Sequence, residues 1–292
     1  MNETPSLAVD GVRKEFGPVT ALSGVDLTVE GPEILGLAGP NGSGKTTLIR
    51  CLLGLERPTA GEARVGGTFS REFDRADRER IGYMPQHTAV YDDLTVRENV
   101  AFFARLYGVG GAARPAGVPR LGGGGSEATR DSADPGAVDR ALSVVGLDDR
   151  ADARIGELSG GMVRRTSLAC AIVHEPDVLF LDEPTVGLDP RLRSSMWAEF
   201  RDRRDDGTLV VVSTHYLGEA TNCDRVCFLR DGRVLALDSP DGFLDATGTE
   251  DMEAAFLALL DERGGAETAA DADDGHDAPG PDAAAASGGD TR

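Results

Sequence analysis

An α/β fold on a mostly parallel sheet is what this sequence predicts, and three stretches carry the prediction. Residues 34–38, ILGLA, are a short apolar run that leads straight into a glycine-rich turn and then a helix. Residues 178–182, VLFLD, and 209–213, LVVVS, are continuous apolar runs, the pattern of strands buried on both faces of a parallel sheet. Segments of helical period separate them, so strands and helices alternate along the chain.

The elements follow in order. LAVDGV, VDLTV and ILGLAG within residues 6–38 read as three strands. In TTLIRCLLG, Leu48, Ile49, Leu52 and Leu53 share one helical face, and Gly54 ends it. TVRENVAFFARLYG starts at a Thr95 cap and stops at Gly108. Residues 109–134 contain almost no large apolar side chain and cannot offset their own ordering entropy, so a flexible surface insertion is expected there. AVDRALSVVGL places Val138, Ala141, Leu142 and Val145 on one face, and a further helix is expected from Met162 to His174, before Pro176. A helix over 190–204, the strand at 209–213, another helix and a hairpin around Asp231-Gly232 complete the body. Residues 261–292 carry nine acids, two arginines and few apolar groups, and are expected to be disordered.

Composition narrows the partners. The 292 residues carry 50 acids against 30 bases, a net charge of −20 that disfavours binding to nucleic acid or anionic lipid. Lysine occurs only at 14 and 45, so arginine supplies nearly all the positive charge, and the acid excess suggests a high-salt, halophilic cytoplasm. Cys51, Cys170, Cys223 and Cys227 lack the paired spacing of a metal site and read as free buried thiols. The start, MNETPSLAVD, lacks the basic region and apolar run of a signal peptide, and no run of about eighteen apolar residues occurs.

Residues 39–47, GPNGSGKTT, fit a phosphate-binding loop. Its glycines, with Pro40, Asn41 and Ser43, let backbone N–H groups of Gly39, Gly42 and Gly44 wrap phosphates; Lys45 would bridge the terminal phosphates. The Thr46 hydroxyl, next to Thr47, would coordinate Mg2+. The strand VLFLD ends in Asp182, suited to hold magnesium through water, and Glu183 follows, placed to orient or deprotonate an attacking water. Taken alone, the same pair could be two solvated acids at a strand end.

The set GPNGSGKTT, MPQ, LSGGM, VLFLDEPTVGLD and STH, in this order, resembles the ATPase subunit of an ABC transporter over residues 6–260. The resemblance implies a P-loop NTPase core, an N-terminal antiparallel β subdomain and an inserted helical subdomain at about 87–165. It implies ATP as substrate with Mg2+, Phe16 stacking on adenine, Gln86 reaching the metal and attacking water, and His215 contacting the terminal phosphate. Asp189 would communicate across a dimer interface. Ser159, Gly160 and Gly161 would form an anion site at a helix start that closes over ATP held by a second ATPase subunit, identical or related.

Met162, followed by Val163, Arg164 and Arg165, together with STHYLGEA, is similar to the export-type branch, which serves separate transmembrane permease subunits. The protein would then be cytoplasmic, held peripherally on the inner face of the membrane by its permease. Residues 87–98, with Tyr91 and Leu94 expected to be exposed, form the candidate docking surface. An ATPase of an importer, or an ABC ATPase without a transporter, is the alternative. A GTPase would need an Asn-Lys-x-Asp motif, which two lysines at 14 and 45 cannot supply.

Overall fold

A computed structural model describes residues 4–87, 89–109 and 134–261. The expected insertion and acidic tail therefore lie outside the described residues except at their margins. At those margins Val109 packs partly buried against the core, and the Asp134 side chain caps the next helix by accepting from Gly136 N at 2.9 Å.

Two sheets share the core. β1 (Ser6–Phe16), β2 (Val19–Glu30), β4 (Ala60–Val65) and β5 (Thr68–Phe69) form an antiparallel sheet in the order β2-β1-β4-β5. Alternate apolar residues face inward: Leu7, Val9, Val12, Leu22, Val25, Leu27 and Val29 are all buried, as period-two strands with one wet face require.

The second sheet runs β10-β9-β3-β8-β7-β6. It comprises β3 (Ile34–Ala38), β6 (Ile81–Met84), β7 (Val178–Asp182), β8 (Leu209–Thr214), β9 (Arg225–Arg230) and β10 (Arg233–Asp238). Every pairing among the first five is parallel, and β10 joins the edge antiparallel through the Asp231-Gly232 turn. Both turn residues have positive φ, 49° and 74°, the conformation that a two-residue hairpin demands. β3, β7 and β8 are buried at every residue, as their unbroken apolar sequences predict.

Helices cover both faces. α1 (Lys45–Leu52) and the antiparallel sheet pack on one face, with Leu48, Ile49, Leu52 and Leu53 buried among Leu35, Leu37, Phe180 and Val211. The other face carries α3 (Val96–Leu106), α4 (Pro135–Val144) and α5 (Gly160–Ile172), whose cores run continuously into Ile34, Leu181 and Val212. The expected shared face of Val138, Ala141, Leu142 and Val145 is wholly buried there. α6 (Pro190–Asp205) and α7 (Pro240–Thr247) complete the layers, with a short α2 (Arg75–Glu79) and a final helical stretch at 252–261.

Three local expectations are corrected. The segment after β8 is a 3-10 helix, Leu217–Asn222, because a buried Glu219 ties it to the sheet instead of letting it run as an independent helix. α5 starts at Gly160 behind the Ser159 cap and stops at Ile172, two residues short of the expected His174. Leu94 is half-buried, not exposed, while Tyr91 stays half exposed, 50%, with Phe102 against its ring edge.

Candidate active site

Parallel register places the site. Ala38 pairs with Thr214, Asp182 with Ser213, and Met84 with Leu181, so four strands end at one carboxyl edge. The phosphate loop follows β3, Glu183 follows β7, His215 follows β8, and Gln86 lies two residues past β6. Ligands of open α/β sheets bind at this edge because loops there are free to converge.

The loop 39–47 is built for backbone approach to an anion. Gly39, Gly42 and Gly44 have φ of 151°, 82° and 105°. A Cβ at Gly39 would stand 2.1 Å from Leu229 O, and one at Gly44 2.8 Å from Ala21 O, so the fold itself admits only glycine at both. Gly44 opens α1 without any side-chain cap, leaving first-turn N–H groups for a ligand. Lys45 is buried and donates to Gly39 O at 2.8 Å and Pro40 O at 3.0 Å. Burial holds its ammonium below the ordinary lysine range, opposed by Glu183 and Asp182.

A single hydrogen-bond network joins the predicted polar residues. Asp182 Oδ1 accepts from Thr46 Oγ1 at 3.1 Å and from Ser213 Oγ at 2.6 Å, and that Ser213 oxygen accepts from Glu183 N at 2.9 Å. The Glu183 carboxylate takes Gln86 Nε2 on Oε2 at 2.9 Å and His215 Nδ1 on Oε1 at 3.0 Å. Glu183 has φ of 50°, a left-handed conformation that costs a side chain about 1–2 kcal/mol and that turns its carboxylate out of the strand line toward both partners.

Asp182 Oδ2 is buried and makes no hydrogen bond among the described residues. A buried, unsatisfied carboxylate oxygen beside the Thr46 hydroxyl is a hard-oxygen pair that suits Mg2+.

Phe16 and the signature lie apart from this network. Phe16 is 46% exposed at the end of β1, so it is not a core side chain, and Lys14 Nζ sits 4.6 Å from its ring centroid. Ala21, on the β2 strand that pairs with β1, backs onto Gly44. Ser159 accepts from Met162 N at 3.4 Å, a long N-cap bond, and a Cβ on Gly161 would meet Leu192 at 3.1 Å. Asp189 caps α6 through Arg191 N at 2.9 Å and Leu192 N at 3.0 Å. All four cysteines are free and buried; burial pushes the Cys51 thiol up to about 11 and Cys227 to about 12.

Sequence reasoning missed three contributors. Ser213 is readable as a hydroxyl at the end of an apolar strand. Glu219 accepts from Thr185 Oγ1 at 2.7 Å and Thr214 Oγ1 at 3.3 Å, which ties two strand ends together; its burial has no sequence signal of its own. Arg164 is buried and donates only to carbonyls, a role that sequence cannot separate from a surface arginine.

A glycine loop at a helix start, with an acid pair at the carboxyl end of β7, one strand removed from β3, defines a nucleotide-phosphate hydrolase of the P-loop class. The profile described as ABC transporter matches residues 22–186. The Nod factor export ATP-binding protein I of Burkholderia lata is 39% identical over 236 residues, covering 80% of this chain and 71% of that protein. The probable multidrug ABC transporter ATP-binding protein YbhF of Escherichia coli is 36% identical over 252 residues, 85% of this chain and 40% of that protein. Among solved structures, an ATP-binding subunit of an ABC transporter superposes with TM-score 0.72 at 24% identity, over 87% of this chain and 99% of that one. A dimeric ATP-binding cassette in a post-hydrolysis state with ADP and Pi gives 0.68 at 25%, over 80% and 98%. The chain belongs to the ABC transporter family, as an ATP-binding subunit with ATPase activity.

Proposed function

We propose that this chain hydrolyses ATP to drive export through separate transmembrane permease subunits. The observation that carries the reading is the carboxylate of Glu183 held between Gln86 and His215, beside the Thr46–Asp182–Ser213 group. The export direction is supported by the relatives named for Nod factor export and multidrug transport, and by Met162 in the signature. No helix among the described residues is long and apolar enough to cross a membrane.

Adenine stacks on exposed Phe16, and the amides of residues 39–47 take the phosphates. Lys45 exchanges its two carbonyl acceptors for phosphate oxygens, whose negative charge pairs with its ammonium. Thr46 and Asp182 would hold Mg2+, with Gln86 at the same edge, and a bound Mg2+ would supply neutralisation of the charge that develops on the phosphates. Glu183 orients the attacking water and accepts its proton, and His215, fixed through Nδ1, keeps Nε2 for the terminal phosphate. Ser159, Gly160 and Gly161 serve the nucleotide of a second ATPase subunit, so that two chains close on two ATP molecules. The ATPase domain spans 6–260, with the helical subdomain at about 87–165 lodging the permease contact near Tyr91. Such a chain works at the inner face of the membrane.

Glu183→Gln keeps the shape of the side chain and removes the proton acceptor. ATP turnover falls about 10²–10⁴-fold while MgATP still binds. Wild-type turnover in this variant overturns the assignment of the base. The acid excess fits a molar-salt cytoplasm, and the melting temperature rises with molar KCl; a temperature flat or falling with salt removes that reading.

A further inference from the structure

Arg164 lies five residues past Ser159 on α5, inside the helix that carries the signature, and is 7% exposed. Its guanidinium donates through Nε to Pro184 O at 3.0 Å, through Nη1 to Gln86 O at 2.5 Å, and through Nη2 to Asp182 O at 3.3 Å. Nη2 also donates to Glu183 O in a close contact. Among the described residues no carboxylate is paired with the guanidinium, and its hydrogen bonds go to main-chain carbonyls. Consecutive carbonyls of a strand point to opposite sides. Those of 182, 183 and 184 converge on one guanidinium only because the chain curls at Glu183, where φ is 50°.

The same curl aims the Glu183 carboxylate at Gln86 and His215. Gln86 is itself gripped by Arg164 through its carbonyl, at the joint where the core passes into the helical subdomain. One planar fork thus fastens three things at once: the start of α5, the joint at Gln86, and the strained peptide of the base. Arginine has the five donors in a fixed plane that this takes; lysine is a point charge and would serve fewer of the carbonyls.

We infer that Arg164 is a positioning residue for hydrolysis, which holds Glu183 in its bent conformation and links the placement of that carboxylate to the position of the signature helix. The inference rests on the reading of Glu183 as the base. When α5 moves to meet the nucleotide of a second subunit, Arg164 carries the motion to the backbone of residues 182–184 in its own chain. Each site thereby senses whether the signature of its own chain is engaged.

The test is a double-mutant cycle on the full chain in its assembled state, with single-turnover ATP hydrolysis as the rate and MgADP affinity by calorimetry as the control. MgADP occupies the phosphate loop without needing the base. Arg164→Met slows hydrolysis about 10–100-fold, the scale of a misplaced reacting group, with MgADP affinity unchanged. Arg164→Lys recovers part of that loss. In a Glu183→Gln background, Arg164→Met adds less than about threefold, because both act through one carboxylate. Equal effects in the two backgrounds, a wild-type rate for Arg164→Met, or loss of MgADP affinity in both Arg164 variants would each overturn the inference. A Glu183→Gln chain that turns over normally overturns the reading of the base instead, which separates the two failures.

Discussion

The phosphate loop, residues 39–47, and the signature, residues 158–162, are both glycine turns that open a helix, yet their surroundings differ. At Gly39 and Gly44 a Cβ would strike main-chain oxygens of this same chain, at 2.1 and 2.8 Å, and both φ values are positive. At Gly160 a Cβ would meet nothing within 4 Å, and its φ is not in the left-handed region. The fold therefore demands glycine at Gly39 and Gly44 and not at Gly160. In the proposed two-chain site the reason for glycine at Gly160 would be room for a nucleotide that a second subunit brings, so the phosphate loop would be a site and the signature half of one.

The sharpest way to break that comparison is to add one methyl group to each loop. Gly39→Ala forces a contact with Leu229 O that no rotamer can relieve, and stability falls by about 3 kcal/mol or more, with ATP binding lost. Gly160→Ala leaves the unfolding free energy within about 0.5 kcal/mol and nucleotide affinity of the single chain intact, while turnover by the assembled protein drops. Denaturant titration and nucleotide binding read both. Equal destabilisation by the two substitutions would erase the distinction.

A smaller effect concerns the helix that bears the signature. His174 follows α5, stacks on the Tyr107 ring at 3.8 Å and offers Nε2 to Ile81 O at 3.1 Å. Burial lowers its pKa to about 4, below the ordinary value of 6.5. Between these values the unfolded chain binds a proton that the folded chain refuses, so stability is lost as pH falls from 6.5 toward 4. His174→Phe keeps the ring stack and removes the titration, and recovers about 1–3 kcal/mol of that acid-side loss relative to its own value at pH 7. Parallel pH curves for the two proteins would place the acid sensitivity elsewhere.

Much of the architecture was legible because burial leaves a period in the sequence. Unbroken apolar runs such as VLFLD and LVVVS mark β7 and β8, and the glycine turn between ILGLA and TTLIRCLL marks the loop. The site residues came from motif chemistry, and the register of parallel strands brings Thr46, Gln86, Asp182, Glu183 and His215 to one edge. What stayed hidden depends on long-range pairing. Ser213 acts only because it stands opposite Asp182 on the next strand. Glu219 shortens its segment to a 3-10 turn by bonding Thr185, 34 residues away. Arg164 looks like a surface charge until α5 docks it against the end of β7. Leu94, expected to be exposed in the candidate docking surface, is half-buried because its own N–H and C=O tie it to Tyr91 and Ile155.

The central claim, that each active site is assembled from two chains, is tested most directly by mixing two inactive variants. Lys45→Ala removes the phosphate loop's cation and leaves the signature; Gly160→Ala blocks the signature and leaves the loop. A mixed dimer holds one site with both parts intact, so ATPase activity should return on mixing although neither variant alone has it. If mixing restores nothing while each variant still binds its partner, or if Gly160→Ala alone hydrolyses ATP at the wild-type rate, the signature does not complete a neighbour's site and the account is wrong.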